Sequence, residues 1–273
     1  MGSGVVRHLL ARPDRPPVAA IARRPEAVPG AARPKARRAD YEDPPSLRAA
    51  FTGIETLVFV SSDGVPEVMR RHHEHVVEAA VGAGVARVVY TSILDIAPDS
   101  GFSYSQVHRE TEARLAASDM RTCFARTSIF DDFLVETWIV PALETGILSL
   151  PAGEGGMSLI TREDTARALA EAASSTLDGV LELTGPSALT ADDVARITQA
   201  ETGRSLRSQD LDDDAYRRRL VDDGEQGWVI EAYVSMFASV REDRFATVSD
   251  DVAQLTGRAP EPFGAFVRAA TLA

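Results

Sequence analysis

Thr56-Leu-Val-Phe-Val-Ser61, a helical pattern over Pro66–Ala83, and Arg87-Val-Val-Tyr-Thr91 together decide the fold. The two short runs are rich in β-branched and aromatic residues, and the segment between them spaces its apolar side chains along one face. Strand, helix and second buried strand in that order make a βαβ unit, which requires a parallel sheet. Working outward, further strands read at Val18–Ala22, Ala36–Ala39 and Thr122–Ala125, with helices at Ser46–Phe51, Ser105–Ala117 and Phe130–Thr145. The expected fold is therefore α/β, a Rossmann-like doubly wound sheet over residues 1–148. Residues 149–273 read as a smaller, mostly helical lobe: helices at Arg162–Ser174 and at Thr190–Thr202, with Thr190 as N-cap, and four more beyond. The short run at 180–184 is expected to return to the main sheet. Ahead of Val18 stands an amphipathic helix, Gly4-Val-Val-Arg-His-Leu-Leu-Ala11. The central first strand of such a sheet, and the glycine turn after it, have no counterpart before that helix.

Composition narrows the function. Asp and Glu number 41 against 29 Lys and Arg, a net charge of −12, which repels a phosphate backbone or an anionic bilayer and favours a small-molecule ligand. No apolar stretch approaches the ~20 residues of a membrane span, and no basic-then-apolar leader is seen, so the cytoplasm is the expected location. Cys123, the single cysteine, excludes an internal disulfide and reads as a buried thiol. Lys35 is the only lysine and lies in the polar run Arg33–Arg38, so Schiff-base chemistry and a phosphate-cradling lysine are not expected.

Candidate site residues cluster at strand ends. Arg23 and Arg24 follow the strand after which a nucleotide fold reads the adenosine ribose; arginine there accommodates a 2′-phosphate, so the cofactor expected is NADP(H) rather than NAD. Asp40 and Tyr41 follow the next strand, where they can meet the adenine. Ser61, Ser62, Thr91 and Ser92 end two strands facing the nicotinamide position, although plain capping would use the same hydroxyls. Tyr104 and His108 stand four apart at the head of a helix and so point the same way, a phenol beside a basic ring suited to protonating a carbonyl. His72, His73 and His75 lack a second ligand pair and read as an exposed helix start rather than a metal site, so no metal is expected. Phe130, Phe133, Trp138 and Tyr233 are candidates for an apolar substrate wall, core packing being their other reading.

These residues give the chain a resemblance to the NmrA-like group of atypical short-chain dehydrogenases/reductases, NAD(P)H:quinone oxidoreductase type. It runs through Ala20-Ile-Ala-Arg23-Arg-Pro25, Ala39-Asp-Tyr-Glu-Asp43, Ala79-Ala-Val-Gly-Ala-Gly84-Val, Val89-Tyr-Thr-Ser92, His108-Arg-Glu-Thr-Glu112, Thr161-Arg-Glu-Asp164 and Leu183-Thr-Gly-Pro186. The resemblance implies NADPH-dependent hydride transfer to a quinone or other conjugated carbonyl, with Tyr104, His108 and Ser92 as the catalytic set. A non-catalytic NADP-binding redox sensor of the same group is the alternative, and a homodimer or protein partner stays open. Three departures stand out. Only Gly2 corresponds to the family's Gly-x-x-Gly-x-x-Gly turn. His108 replaces the lysine of Tyr-x-x-x-Lys. Arg126-Thr127-Ser128 replaces Arg-Asn-Gly beside the nicotinamide. The first departure implies weakened cofactor binding, and a start either assigned too far downstream or belonging to a shortened protein. A sheet without its central strand would be relieved by closure, by a replacement strand or by exchange with another subunit.

Overall fold

The computed structural model describes residues 1–14, 16–28, 30 and 35–272. Arg33 and Pro34 of the polar run around Lys35 lie outside the described residues. Along the chain come α1 (Gly2–Ala11), β1 (Ile21–Ala22), β2 (Arg37–Arg38), α2 (Pro44–Phe51), β3 (Thr56–Phe59), α3 (Pro66–Gly82), β4 (Arg87–Ile93) and α4 (Ser105–Ala116). They are followed by β5 (Arg121–Thr127), α5 (Asp131–Leu134), α6 (Val140–Thr145), β6 (Ile147–Leu150), α7 (Arg162–Ser174), β7 (Gly179–Leu183), α8 (Ala191–Thr202) and β8 (Arg207–Asp210). The C-terminal helices are α9 (Asp213–Asp222), α10 (Gly227–Arg241), α11 (Asp251–Thr256) and α12 (Phe263–Leu272).

Two compact units result. Unit 1 comprises Met1–Ser92, Val107–Arg126 and Thr165–Leu181; unit 2 comprises Ile93–Gln106, Thr127–Asp164 and Glu182–Ala273. The division is interleaved, so it does not fall at residue 148 as the sequence pattern implied. The cause is that α7 and most of β7 come back to the first unit after the chain has begun the second. β7 pairs with β5, so the run at 180–184 does rejoin the main sheet.

Unit 1 holds two sheet segments: β1 with β2, and a four-stranded segment in the order β3-β4-β5-β7. β1 and β2 pair in parallel, Ile21 with Arg37, and so do β3 and β4, Thr56 with Arg87. Arg121 N donates to Ala86 O at one end of the β4–β5 ladder and Leu94 N to Thr127 O at the other, a register in which both strands advance together. Leu57, Phe59, Val88 and Tyr90 pack beneath α2 and α3 in one core, where α3 contributes Val76, Val77 and Ala80. Two prolines open α2, and its N-cap Asp43 accepts from Ser46 N.

Unit 2 has its own core around Trp138, Leu148, Leu150, Met157 and Phe237, and a two-stranded parallel sheet of β6 with β8. Thr190 caps α8 in a reciprocal box with Asp193. The long helix expected over Phe130–Thr145 is broken by a π-helical turn at Val135–Ile139. Pro141, in the first turn of α6, has no N–H for the carbonyl four residues back, and the wider turn accommodates that loss.

Candidate functional site

The carboxyl ends of parallel strands are where doubly wound folds meet their ligands. In unit 1 the end of β3 is tied to that of β4: Ser61 N donates to Thr91 Oγ1 at 2.7 Å, and the Thr91 hydroxyl lies 3.3 Å from Ser61 Oγ. Ser62 N donates to His73 Nε2 at 3.3 Å. The Ser62 hydroxyl is buried with no protein partner.

Beneath the strand ends lies a buried polar network. His73 Nδ1 is 2.9 Å from Thr111 Oγ1, whose hydroxyl donates to Val107 O at 2.7 Å. Because His73 Nε2 accepts from Ser62, its proton sits on Nδ1, and Thr111 is the acceptor. The Tyr90 hydroxyl is hydrogen-bonded to His108 Nδ1 at 2.7 Å. Burial holds both imidazoles neutral, with His73 pushed down to about 4 and His108 to about 3, and a neighbouring histidine adds to each shift, His72 for His73 and His73 for His108. His108 is thus not a cation at neutral pH. Of the two roles open to His108 beside Tyr104, electrostatic or positioning, burial opposes the first: desolvation outweighs any gain from a charge on the ring.

Gly2, Arg24, Tyr41 and Ser61 all line one cleft of about 1180 Å³ in unit 1, whereas Arg23, Asp40, Ser62 and Thr91 do not reach its walls. Arg23 and Arg24 are exposed and, among the described residues, have no ion-pair partner. Asp40 closes a tight turn by accepting from Glu42 N at 3.1 Å. Tyr41 is held by its own bond, its hydroxyl donating to Val60 O at 2.8 Å. The Arg24 guanidinium and the N-terminus of α1 at Gly2 and Ser3, which line this cleft, are donors suited to a dinucleotide phosphate. The residues present fit NADP(H).

Ser92, in unit 1, is buried near the end of β4. Thr127 and Ser128, in unit 2, are buried at and just beyond the end of β5, and Ser158 Oγ donates to Ser128 Oγ at 3.0 Å. Tyr104, also in unit 2, is half-buried one residue ahead of α4, its ring 5.4 Å from that of Phe102. The loop leading to it is fixed by Asp95, which accepts from the Ser100 hydroxyl at 2.6 Å.

Three of the four proposed wall residues meet in unit 2. Phe133 and Tyr233 pack edge-on against Trp138, with centroids 4.9 and 5.1 Å away, and the indole N–H donates to the Tyr216 hydroxyl at 2.9 Å. Phe130 stands apart from this group, beneath the Arg162 guanidinium at 5.5 Å. The reading of the histidine triplet as an exposed helix start is corrected for His73, which is 1% exposed on the apolar face of α3. His72 instead pairs with Glu42, and His75 Nδ1 bonds Tyr41 O at 2.7 Å. Cys123 is a buried thiol, pushed up to about 11 by desolvation. Sequence reasoning missed Tyr90 as a polar centre and Asp131 altogether. The spacing Met69, His73, Val76, Ala80 could have exposed the first error, since it places His73 within the buried stripe.

Known proteins resemble this chain over most of its length. The NAD(P)H-binding family pattern matches residues 1–176. Quinone oxidoreductase 2 of Escherichia coli is 32% identical over 215 residues, which span 77% of this chain and 74% of that protein. An NAD(P)H azoreductase of Xenophilus azovorans is 28% identical over 232 residues, 84% of this chain and 80% of the other. The solved structure of the Escherichia coli NADPH-dependent quinone oxidoreductase in complex with NADPH superimposes with a TM-score of 0.91 at 27% identity, covering 98% of this chain and 95% of that one.

Proposed function

Since the chain belongs to the NAD(P)H-binding family, and within it to the NmrA-like oxidoreductases, we propose that it is an NADPH-dependent oxidoreductase that reduces a quinone or another conjugated carbonyl compound. The observation that carries the reading is the 32% identity over 215 residues to a quinone oxidoreductase. NADPH, when bound, supplies the hydride; the chain's residues bind and orient.

Arg23 and Arg24 recognise the 2′-phosphate, because both guanidinium groups are exposed and, among the described residues, free of carboxylate partners. The Ser61–Thr91 pair fixes the β3 and β4 ends on the cofactor side, with Ser62 next in the chain, and Asp40 and Tyr41 serve the adenine side. Thr127, Ser128 and Ser92 serve the nicotinamide side. The Phe133, Trp138 and Tyr233 rings offer an apolar wall for a flat acceptor, with Phe130 as a further contact. Tyr104 is the proton donor. His108, neutral and engaged by Tyr90, acts as a positioning residue at the head of α4. A quinone tolerates this arrangement because its reduced form is a stabilised hydroquinone and needs little acid catalysis, whereas a simple ketone does not.

The test is NADPH consumption against a panel of quinones and simple ketones. Turnover confined to the conjugated acceptors supports the reading. Saturable NADPH binding with no turnover across the panel overturns it.

A further inference from the structure

β3 leaves its ladder at Phe59, the last residue paired with β4, yet the wall of the unit-1 cleft is continued by the two residues beyond it, Val60 and Ser61. Backbone groups past the end of a ladder need other partners. Here three successive residues find them on three different elements. Val60 O accepts from the Tyr41 hydroxyl at 2.8 Å, Ser61 N donates to Thr91 Oγ1 at 2.7 Å, and Ser62 N donates to His73 Nε2 at 3.3 Å. The turn after β2, the strand β4 and the helix α3 thus each hold one point of the same stretch.

We propose that His73 is a positioning residue for the cofactor: its neutral imidazole fixes the main chain of Ser62, and with it the wall at Val60 and Ser61, in the shape the dinucleotide meets. The ring is locked for that task. Its other nitrogen donates to Thr111 Oγ1 at 2.9 Å, and Thr111 is itself held, because its hydroxyl donates to Val107 O at 2.7 Å. Phe59 and Tyr90 stand edge-on to the imidazole, with centroids 5.2 and 5.8 Å away. The position also requires an acceptor without charge, since the side chain is fully buried. A carboxylate there would be costly to bury and a lysine or arginine has no acceptor atom, whereas a histidine kept neutral by desolvation accepts freely. A main chain fixed before the ligand arrives loses little freedom on binding, and in this way a residue outside the cleft walls sets affinity. The inference rests on the cofactor reading, in that NADPH is the ligand whose affinity His73 sets.

The test compares wild type with three variants. His73→Leu removes both ring nitrogens, His73→Gln keeps a side-chain oxygen that can accept from Ser62 N, and Thr111→Val removes the acceptor for the Nδ1 proton while keeping the shape of the side chain. NADPH dissociation constants are read by titration without quinone, and amide exchange at Ser61 and Ser62 is read on the same proteins without nucleotide. His73→Leu is expected to weaken NADPH binding about tenfold and to speed exchange at Ser62, with His73→Gln within about threefold of wild type and Thr111→Val between the two. Wild-type NADPH affinity in His73→Leu overturns the inference. So does equal weakening in His73→Leu and His73→Gln, the mark of a packing role. Should His73→Leu fail to fold, Thr111→Val carries the test, and wild-type affinity and exchange in that variant overturn the inference. A wild-type chain that binds no NADPH overturns the cofactor reading instead, and exchange then decides alone: faster exchange at Ser62 in His73→Leu but not in His73→Gln supports the fixing of the main chain, and equal exchange in all proteins overturns it.

Discussion

The two units treat their buried titratable groups in opposite ways. In unit 1 the Tyr90 hydroxyl, His108 and His73 form a chain in which each ring has a hydrogen-bond partner. In unit 2 the carboxyl of Asp131 is fully buried and neither oxygen has a hydrogen bond. Desolvation pushes it up to about 8, helped by the negative charges of Asp132, Glu261 and Asp164. The chain therefore carries two opposed pH dependences. The imidazoles have folded values near 4 and 3 against an ordinary 6.5, so their contribution is complete above about 6.5 and lost as the pH falls towards those values. Asp131 is raised above its ordinary 3.8, so its contribution is complete below about 3.8 and lost as the pH rises through 8. A network that satisfies its members tolerates burial; an unpartnered acid is tolerated only while it keeps its proton.

The largest effect is expected in unit 2's aromatic cluster, where Trp138→Ala removes a ring packed by Phe133, Tyr233 and Phe237 and orphans the Tyr216 hydroxyl. Chemical denaturation should show a loss of about 3–5 kcal/mol. A smaller cost, about 1–3 kcal/mol, is expected for Tyr90→Phe, which keeps the ring but leaves His108 Nδ1 buried without its hydroxyl partner. If Tyr90→Phe is neutral, the contrast between a satisfied network and an orphan acid breaks down. Asp131→Asn should work in the other direction, raising stability at pH 8 by about 1–2 kcal/mol and flattening the decline in melting temperature between pH 6.5 and 8. A decline that survives in the variant would assign it to other groups. The smallest effect belongs to the exposed arginines. Arg24→Ala is expected to cost about 1 kcal/mol of NADPH affinity, little of NADH affinity, and nothing of stability.

Much of unit 1 was legible because its elements are long and strongly periodic. β3 and β4 carry β-branched residues, β5 an apolar centre at Cys123-Phe-Ala125, and α3 and α7 keep their apolar stripes to within a residue or so of the observed ends. The capping box at Thr190 announced α8 for the same reason. β8 was not legible, since Arg207-Ser-Gln-Asp210 has no apolar alternation and is held by pairing with β6 rather than by its own residues. Nor was the π-helical turn, which a helical apolar pattern continues through and only Pro141 betrays. Among site residues, Ser61 and Thr91 are bonded at the strand ends, and Phe133, Trp138 and Tyr233 form one aromatic group. His108 was misread because spacing fixes the direction in which a side chain leaves a helix, not the dielectric it enters. Asp131 escaped notice because its burial depends on tertiary contacts of β-bridge and loop segments, such as the bond from its own N–H to Ile160 O.

The central claim is hydride transfer from NADPH to a conjugated acceptor, and its most direct test is the rate of quinone reduction with NADPH carrying deuterium at the transferable C4 position. The account predicts that quinone-dependent oxidation of the deuterated cofactor is slower than that of ordinary NADPH, and that NADH supports the reaction only at higher concentration. Bound NADPH that no quinone oxidises, with either isotope, would contradict it.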